Sequence, residues 1–357
     1  MNDSATEQRP GWREAVDAAR LAAWMDTQGL EQGPASEFEL LAGGTQNLIT
    51  RFRRGGHRFV LRRPPVVPRP GGDKTILREA RVLQALATSQ VPHPRLIATC
   101  ADPAVIGAPF YLMEPVEGFN PSGKPLSGAH ALDPAWQRRM GFAMVDALLR
   151  LGEMDHERAG LADFGKPNDF LERQVPRWRA HLEGYASLAG WPGPANLAGI
   201  DELGRWLEAE RPANFTPGLL HGDFHLANVM FAPDAPEIAA VVDWELATLG
   251  DPLLDLGWLL TTWPDASGRG TGTIHVTPWL GFPTAEELIE RYRAGSQRDV
   301  SRIDWYVALA RYKLAVLLEA SHARACAGHA PREVGDRHHA SACRLIERGL
   351  VQARGGR

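Results

Sequence analysis

One stretch of the chain restricts what it can become more than any other: Leu219-Leu220-His221-Gly222-Asp223-Phe224-His225-Leu226-Ala227-Asn228, running through Val229-Met230-Phe231 to Val241-Val242-Asp243-Trp244-Glu245. Val229–Phe231 and Ile238–Val242 are short apolar runs on either side of a turn-rich segment, 232–237, and this pattern predicts a β-hairpin. Asn228 stands just before the first strand and Asp243 just after the second, so antiparallel pairing brings the two side chains together at the open end. Asp223 lies five positions before Asn228, in a bend around Gly222, and can face the same space.

An Asp and an Asn side by side are oxygen donors suited to Mg²⁺, which takes a few carboxylate or amide oxygens and completes its shell with phosphate oxygens and water. A free carboxylate beside a phosphate-bound metal is placed to orient and deprotonate an attacking hydroxyl, and Asp223 is that group. Taken singly, any of these residues reads as a cap or turn residue. His221-x-Asp223-x-His225 read as a metallohydrolase fragment explains neither Asn228 nor the hairpin-spaced Asp243. The whole pattern, H-x-D-x-x-x-x-N followed by a hairpin and an Asp, has the catalytic-loop and metal-site spacing of protein kinases. Gly222 inside the His-x-Asp triplet, and Trp244 after Asp243, depart from that form. They resemble the aminoglycoside phosphotransferase and choline kinase branch, which acts on small molecules.

The rest of the chain offers the parts such a reaction needs. Trp12, Val16, Ala19 and Ala23 recur at helical steps and predict a helix from Trp12 to about Gly29. Phe38–Leu41, Leu48–Phe52 and Arg58–Arg62 read as strands, 64–70 as a loop, Ile76–Ala87 as a helix, and Arg95–Cys100 and Phe110–Glu114 as further strands. Between the first two strands, Gly43-Gly44-Thr45 can bring backbone N–H groups close to phosphate. Arg62 ends the third strand, where protein kinases carry Lys, and could grip a phosphate bidentately. On the following helix Ile76, Glu79, Leu83 and Leu86 fall on one stripe, which puts a carboxylate among apolar residues. Burying it alone would cost several kcal/mol, so a cation from the sheet is expected opposite it, and Arg62 is that partner. Backbone groups from Glu114 to Val116 are placed to contact adenine. Asp251 and Pro252 open a helix on which Asp255, one turn in, braces the catalytic loop, with His221 in a supporting role.

After Gly118 helical patterns dominate, over 136–154, 170–188, 201–210, 253–261, 285–294 and 303–327. The expected division is a nucleotide-binding lobe over 1–114, a hinge at 115–118, and a helical lobe over 119–357 holding the catalytic loop and acceptor site. The tail 353–357 is expected to fray. With 44% hydrophobic and 23% charged residues the chain has globular composition, and a net charge of −4 gives a nucleic-acid partner no electrostatic support. Cys100, Cys326 and Cys343 have no C-x-x-C spacing, which argues against a disulfide framework or zinc site and suits a reducing cytoplasm. No apolar run is long enough to suggest a membrane span, and the acidic first residues do not read as a secretory signal.

The order of motifs resembles the aminoglycoside phosphotransferase family across nearly the whole chain. The closer resemblance is to the kinase-like domain associated with long-chain acyl-CoA dehydrogenases and its stand-alone bacterial relatives. It is carried by FVLRRPP (59–65), FLERQVPRW (170–178), LHGDFHLANVMF (220–231), AVVDWELATLGDPLLDL (240–256) and KLAVLLEASHAR (313–324). It implies an α+β, bilobal protein-kinase-like fold, with a small antiparallel-sheet N-lobe, a larger helical C-lobe and ATP between them. It also implies Asp223 as catalytic base, Asn228 and Asp243 as Mg²⁺ ligands, and Arg62 with Glu79 as the phosphate-side ion pair, Arg being usual at this position in that branch. The acceptor it suggests is a hydroxylated acyl-CoA or similar metabolite. Arg173, Gln174 and Trp178 share one predicted helix and either line an acceptor cleft or serve the fold. Two rival readings are a catalytically silent nucleotide-binding regulator of the same fold and an aminoglycoside-type antibiotic kinase. Oligomeric state is left open.

Overall fold

The computed structural model describes residues 11–41, 47–67, 71–271 and 274–355. The chain forms two compact units, Met1–Gly118 together with Ala239–Glu245, and Phe119–Ile238 together with Leu246–Arg357. A linear division at 115–118 does not anticipate the return of 239–245 to the first unit.

The smaller unit is built on a five-stranded antiparallel sheet of β1 (Ser36–Leu40), β2 (Leu48–Arg54), β3 (His57–Arg63), β4 (Leu96–Cys100) and β5 (Phe110–Met113), in the order β1-β2-β3-β5-β4. Phe59 and Leu61 of β3 enter a core with Leu48, Phe52, Phe110 and Leu112, closed by Leu21 and Met25 of helix α1 (Ala18–Thr27). Strand alternation turns Val60 and Arg62 to the other face, where helix α2 (Gly72–Leu86) packs on β3, β4 and β5. That is why β3 is buried on both sides over its last five residues. Helix α1 begins later than the periodicity predicts. Asp17 accepts from the N–H groups of Ala19 and Arg20, both at 3.0 Å, and caps the helix there, leaving 11–15 in turns.

The larger unit is helical: α3 (Gly128–Leu132), α4 (Pro134–Glu153), α5 (Gln174–Glu183), α6 (Ile200–Ala209), α7 (Leu253–Thr262), α8 (Ala285–Gly295), α9 (Ile303–Cys326) and α10 (Arg332–Ala353). The expected helix over 170–188 is shorter, with a 3₁₀ turn at Gly184–Ser187 after it. The short strands β6 (Gly218–Leu220), β7 (Val229–Phe231) and β9 (Thr248–Gly250) belong to this unit, while β8 (Ile238–Val241) runs from Ile238 into the 239–245 segment of the smaller one. The turn between β7 and β8 is closed by Ala232 N–H donating to the Glu237 carbonyl at 3.0 Å. β6 pairs antiparallel with β9, Leu219 opposite Leu249, and so ties the start of the catalytic loop to the chain entering α7. No helix among the described residues is long and apolar enough to cross a membrane.

Candidate active site

In the larger unit, β6 delivers His221-Gly222-Asp223 and α7 delivers the residues that hold it. Asp255, one turn into α7 and buried, accepts from the backbone N–H of His221 at 2.6 Å and of Gly222 at 2.9 Å. Burial raises the Asp255 carboxyl, against the pull of His221 and these two N–H groups. His221 is fully buried, and its Nδ1 accepts from the N–H of Asp223 at 3.2 Å. Gly222 sits at φ +84°, where a Cβ would lie 2.5 Å from the Leu246 carbonyl oxygen. Gly222→Ala therefore meets both a left-handed backbone and a backbone wall. It is expected to destabilise the protein by about 1–3 kcal/mol or more in urea unfolding. A variant as stable as wild type would mean the loop can move aside.

The Asp223 carboxylate is held by three donors. Trp258 Nε1 donates to Oδ1 at 2.9 Å, His225 Nε2 stands 3.3 Å from the same oxygen, and Asn228 Nδ2 donates to Oδ2 at 3.0 Å. His225 Nδ1 accepts from the N–H of Ala227, which assigns its proton to Nε2, facing Asp223. Burial alone would raise the Asp223 carboxyl, but His225, His221 and Lys313 outweigh it and hold it down at about 2. Asn228 also donates to the Asp223 carbonyl at 2.9 Å. With its nitrogen engaged twice, the atom it can offer a cation is Oδ1.

Lys313 of α9 was not among the expected site residues. Its Nζ donates to the Gly222 carbonyl at 2.7 Å and lies 4.1 Å from the centre of the Trp258 ring, a cation–π contact. Burial lowers its pKa to about 8, with Asp223 and Asp255 opposing the shift. The signal was present in the sequence: Tyr306, Leu309, Lys313 and Val316 fall at steps of three, four and three, so a cation sits in an apolar stripe.

The smaller unit gathers a second polar group. Arg62 Nε stands 2.8 Å from Glu79 Oε2 as an ion pair, Nη2 donates to Glu79 Oε1 at 3.3 Å, and Nη2 also reaches Asp243 Oδ1 at 2.6 Å. Tyr111, opposite Arg62 in the sheet, donates its hydroxyl to Glu79 Oε2 at 3.0 Å. Asn47 donates to Glu79 at 3.4 Å and to Glu245 at 3.2 Å. Tyr111, Asn47 and Glu245 were not singled out from the sequence, because nothing in their spacing marks a shared destination. Burial, with the charges of Asp243 and Glu245, pushes Glu79 up to about 7 against the pull of Arg62 and the Tyr111 hydroxyl. Burial works against the Arg62 charge too, but the surrounding acids more than restore it and raise its pKa above the ordinary value.

Asp243 has φ +68°, a left-handed conformation that Asp tolerates better than most residues and that here turns its carboxylate onto Arg62. One guanidinium against three carboxylates leaves local negative charge in excess, and the donors are oxygens; both features fit a hard divalent cation.

The other expected residues are placed as follows. Gly43, Gly44 and Thr45 lie outside the described residues. Glu114 donates its N–H to the Arg95 carbonyl at 2.9 Å and pairs its carboxylate with the Arg95 guanidinium, and Val116 is half-buried. Arg173 turns back onto the carbonyls of Asn168 and Lys166, and Gln174 donates to the Phe170 carbonyl at 3.0 Å; both serve the local backbone. Trp178 is buried, with Lys313 Nζ 5.6 Å from its ring centre.

Residues 37–306 match the family model described as the phosphotransferase enzyme family. Among curated proteins, the chain is 31% identical to acyl-CoA dehydrogenase family member 10 of Mus musculus, over 80% of this chain and 26% of that protein. It is 29% identical to acyl-CoA dehydrogenase family member 11 of Gallus gallus, over 90% of this chain and 41% of that protein. The chain thus spans well under half the length of these relatives. A crystal structure from Ralstonia eutropha, named as a candidate aminoglycoside phosphotransferase, superposes with TM-score 0.79 at 28% identity, covering 95% of this chain and 98% of the other. An aminoglycoside phosphotransferase in ternary complex with AMP-PNP and hygromycin B shares the fold, with TM-score 0.58 at 16% identity over 95% of this chain and 99% of that one.

Proposed function

The chain belongs to the phosphotransferase enzyme family, and from that premise we propose that it moves the γ-phosphate of ATP onto a hydroxyl of a small metabolite, with Asp223 accepting the proton. The observation that carries this reading is the Asp223 carboxylate, hydrogen-bonded by Trp258 and Asn228 and held ionised by His225, His221 and Lys313, on a loop that Asp255 and Lys313 brace. A carboxylate whose pKa is about 2 does not deprotonate an alcohol in advance. It orients the hydroxyl and takes the proton as the O–P bond forms, which suits a loose phosphoryl-transfer transition state.

Asn228, through Oδ1, and Asp243 would hold Mg²⁺, which neutralises phosphate oxygens when bound. Arg62, kept charged by its acidic neighbours, carries fixed positive charge for the α- and β-phosphates, and Glu79 with Tyr111 fixes its orientation. Backbone groups at 114–116 are assigned to adenine, and Gly43-Gly44-Thr45 to the phosphate cradle.

The acceptor we assign is a hydroxylated acyl thioester of the CoA type. Its support is the naming of the curated relatives as acyl-CoA dehydrogenase family members, together with the matched motifs. The test is ADP release with hydroxyacyl-CoA thioesters of different chain length, free hydroxy acids and aminoglycosides, with Asp223→Asn as control. Turnover of the thioesters that Asp223→Asn abolishes supports the assignment. Turnover of aminoglycosides alone overturns the acceptor class. ATP binding without ADP release for any acceptor favours a silent nucleotide-binding regulator.

Lys313 gives this reading a pH signature with opposite signs for activity and stability. Asp223 is ionised throughout the working range, so it produces no inflection near neutrality. As pH rises through about 8, Lys313 loses the charge that faces Asp223, and kcat is expected to fall. The unfolded chain holds that proton up to the ordinary value of 10.5, so between about 8 and 10.5 the unfolded state binds more protons and stability rises with pH. Lys313→Met should remove both trends relative to wild type. Alkaline limbs that coincide in wild type and Lys313→Met would discard Lys313 as their source.

A further inference from the structure

The two longest helices of the larger unit, α9 and α10, meet along a polar seam that shares no residue with the site described above. Glu319 and His322 are three apart on α9 and so lie on one face, and α10 brings His339 against them, with the His322 and His339 rings stacked at 4.5 Å. Glu319 is fully buried and His322 nearly so. One donor atom from each of Glu319, His322 and His339 lies within 4.8 Å of the other two. A sulfur follows one turn after each histidine: Cys326 Sγ is 3.6 Å from His322 Nε2, and Cys343 Sγ is 3.5 Å from His339 Nε2.

Hydrogen bonding inside the seam does not account for all of it. Glu319 accepts from Trp191 Nε1 at 2.8 Å and pairs with His339 Nδ1 at 2.7 Å, but among the described residues no Lys or Arg forms an ion pair with this buried carboxylate. His322 Nδ1 is buried without a hydrogen-bond partner; Asp336 Oδ1 stands 3.4 Å away outside hydrogen-bond geometry. Beside these groups lies a cavity of about 460 Å³ lined by His322, His339, Asn196, Cys326, Arg332 and Asp336. A buried carboxylate with no Lys or Arg beside it, an orphaned imidazole nitrogen and adjoining space are together what a cation would resolve.

We propose that Glu319, His322 and His339 bind one divalent transition metal, Zn²⁺ being the ion that two imidazoles and a carboxylate suit. Three protein ligands leave a position open toward the cavity, for water, Asp336 or the Cys326 thiol. The absence of C-x-x-C spacing argues only against a site built from thiolates; this one rests on His and Glu, with sulfur alongside.

The test uses the full chain, stripped with chelator, and Co²⁺ or Zn²⁺ alone as probe. The expected result is one ion retained per chain after gel filtration in excess Mg²⁺, with visible Co²⁺ absorption bands and a higher melting temperature with Zn²⁺. His322→Ala and His339→Ala should weaken binding at least about tenfold, with folding checked by circular dichroism, while Asn228→Ala retains the ion. Wild-type protein that keeps no Zn²⁺ in excess Mg²⁺ overturns the proposal without recourse to any variant. So does binding that neither histidine substitution changes. Metal content and spectra are read without turnover, so the result stands or falls separately from the kinase reading.

Discussion

Arg62→Met is expected to destabilise the protein by about 3–5 kcal/mol, the range for removing one partner of a buried ion pair. The reason lies with the partner left behind. Glu79 is 1% exposed, and without Arg62 its remaining donors are neutral, Tyr111 and Asn47. The deficit has a pH dependence of known sign. Glu79 already has a raised pKa, about 7 against an ordinary 4.5, and losing Arg62 raises it further. Over that interval the native state binds more protons than the unfolded chain, so the variant loses stability as pH rises from about 4.5 through neutrality. Adding Glu79→Gln to Arg62→Met should recover much of the loss, since a neutral amide there leaves no buried charge. The readout is urea unfolding at two pH values. Midpoints that Arg62→Met leaves unchanged would mean that Glu79 does not carry its charge in the native protein.

Asp223→Asn is expected to lower kcat by about 10²–10⁴-fold, the usual worth of a positioned acid–base group, while KM for ATP changes little. Asn keeps the shape and cannot take the proton. The same carboxylate also serves the fold: with its pKa depressed from 3.8 to about 2, it contributes stability above the ordinary value that is lost as pH falls through about 2. Some loss of thermal stability should therefore accompany the kinetic defect, without unfolding. A folded Asp223→Asn enzyme within tenfold of wild type would remove Asp223 from the chemistry. A defect confined to KM would make it a binding residue instead.

What the sequence revealed depended on whether a residue's surroundings were written in its own neighbourhood. Glu79 announced a cation because a carboxylate in an apolar helical stripe demands one, and β3 alternation left Arg62 on the facing side. The loop around Asp223 was legible from spacing, because a strand, a glycine and a hairpin fix local geometry within one continuous stretch, Gly218 to Val241. Helix α10 was missed entirely. Beside Leu345 and Ile346, its buried face consists of Gly335, Ala342 and Gly349, small residues that allow close approach: a Cβ on Gly335 would meet Ala325 at 2.4 Å, and one on Gly349 would meet Leu203 at 2.6 Å. Hydrophobic periodicity does not register such a face. Tyr111, Asn47 and Glu245 escaped for a different reason. Their meeting depends on which strands become neighbours, information spread over the whole sheet rather than over any one segment.

The return of residues 239–245 to the smaller unit bears on how such a protein could be taken apart or recombined. Val241 N–H donates to the Pro92 carbonyl at 2.9 Å, and Asp243 and Glu245 stand beside Arg62. A fragment severed after Gly118 would therefore hold Arg62 and Glu79 yet lack Asp243, whose charge and hydrogen bond help keep this guanidinium charged, and the nearby Glu245. Gene fission or domain exchange at that point hands each product an unfinished half. Only a cut that carries the 239–245 peptide along, or a permuted chain that fuses it to the amino-terminal sheet, conserves the module whole.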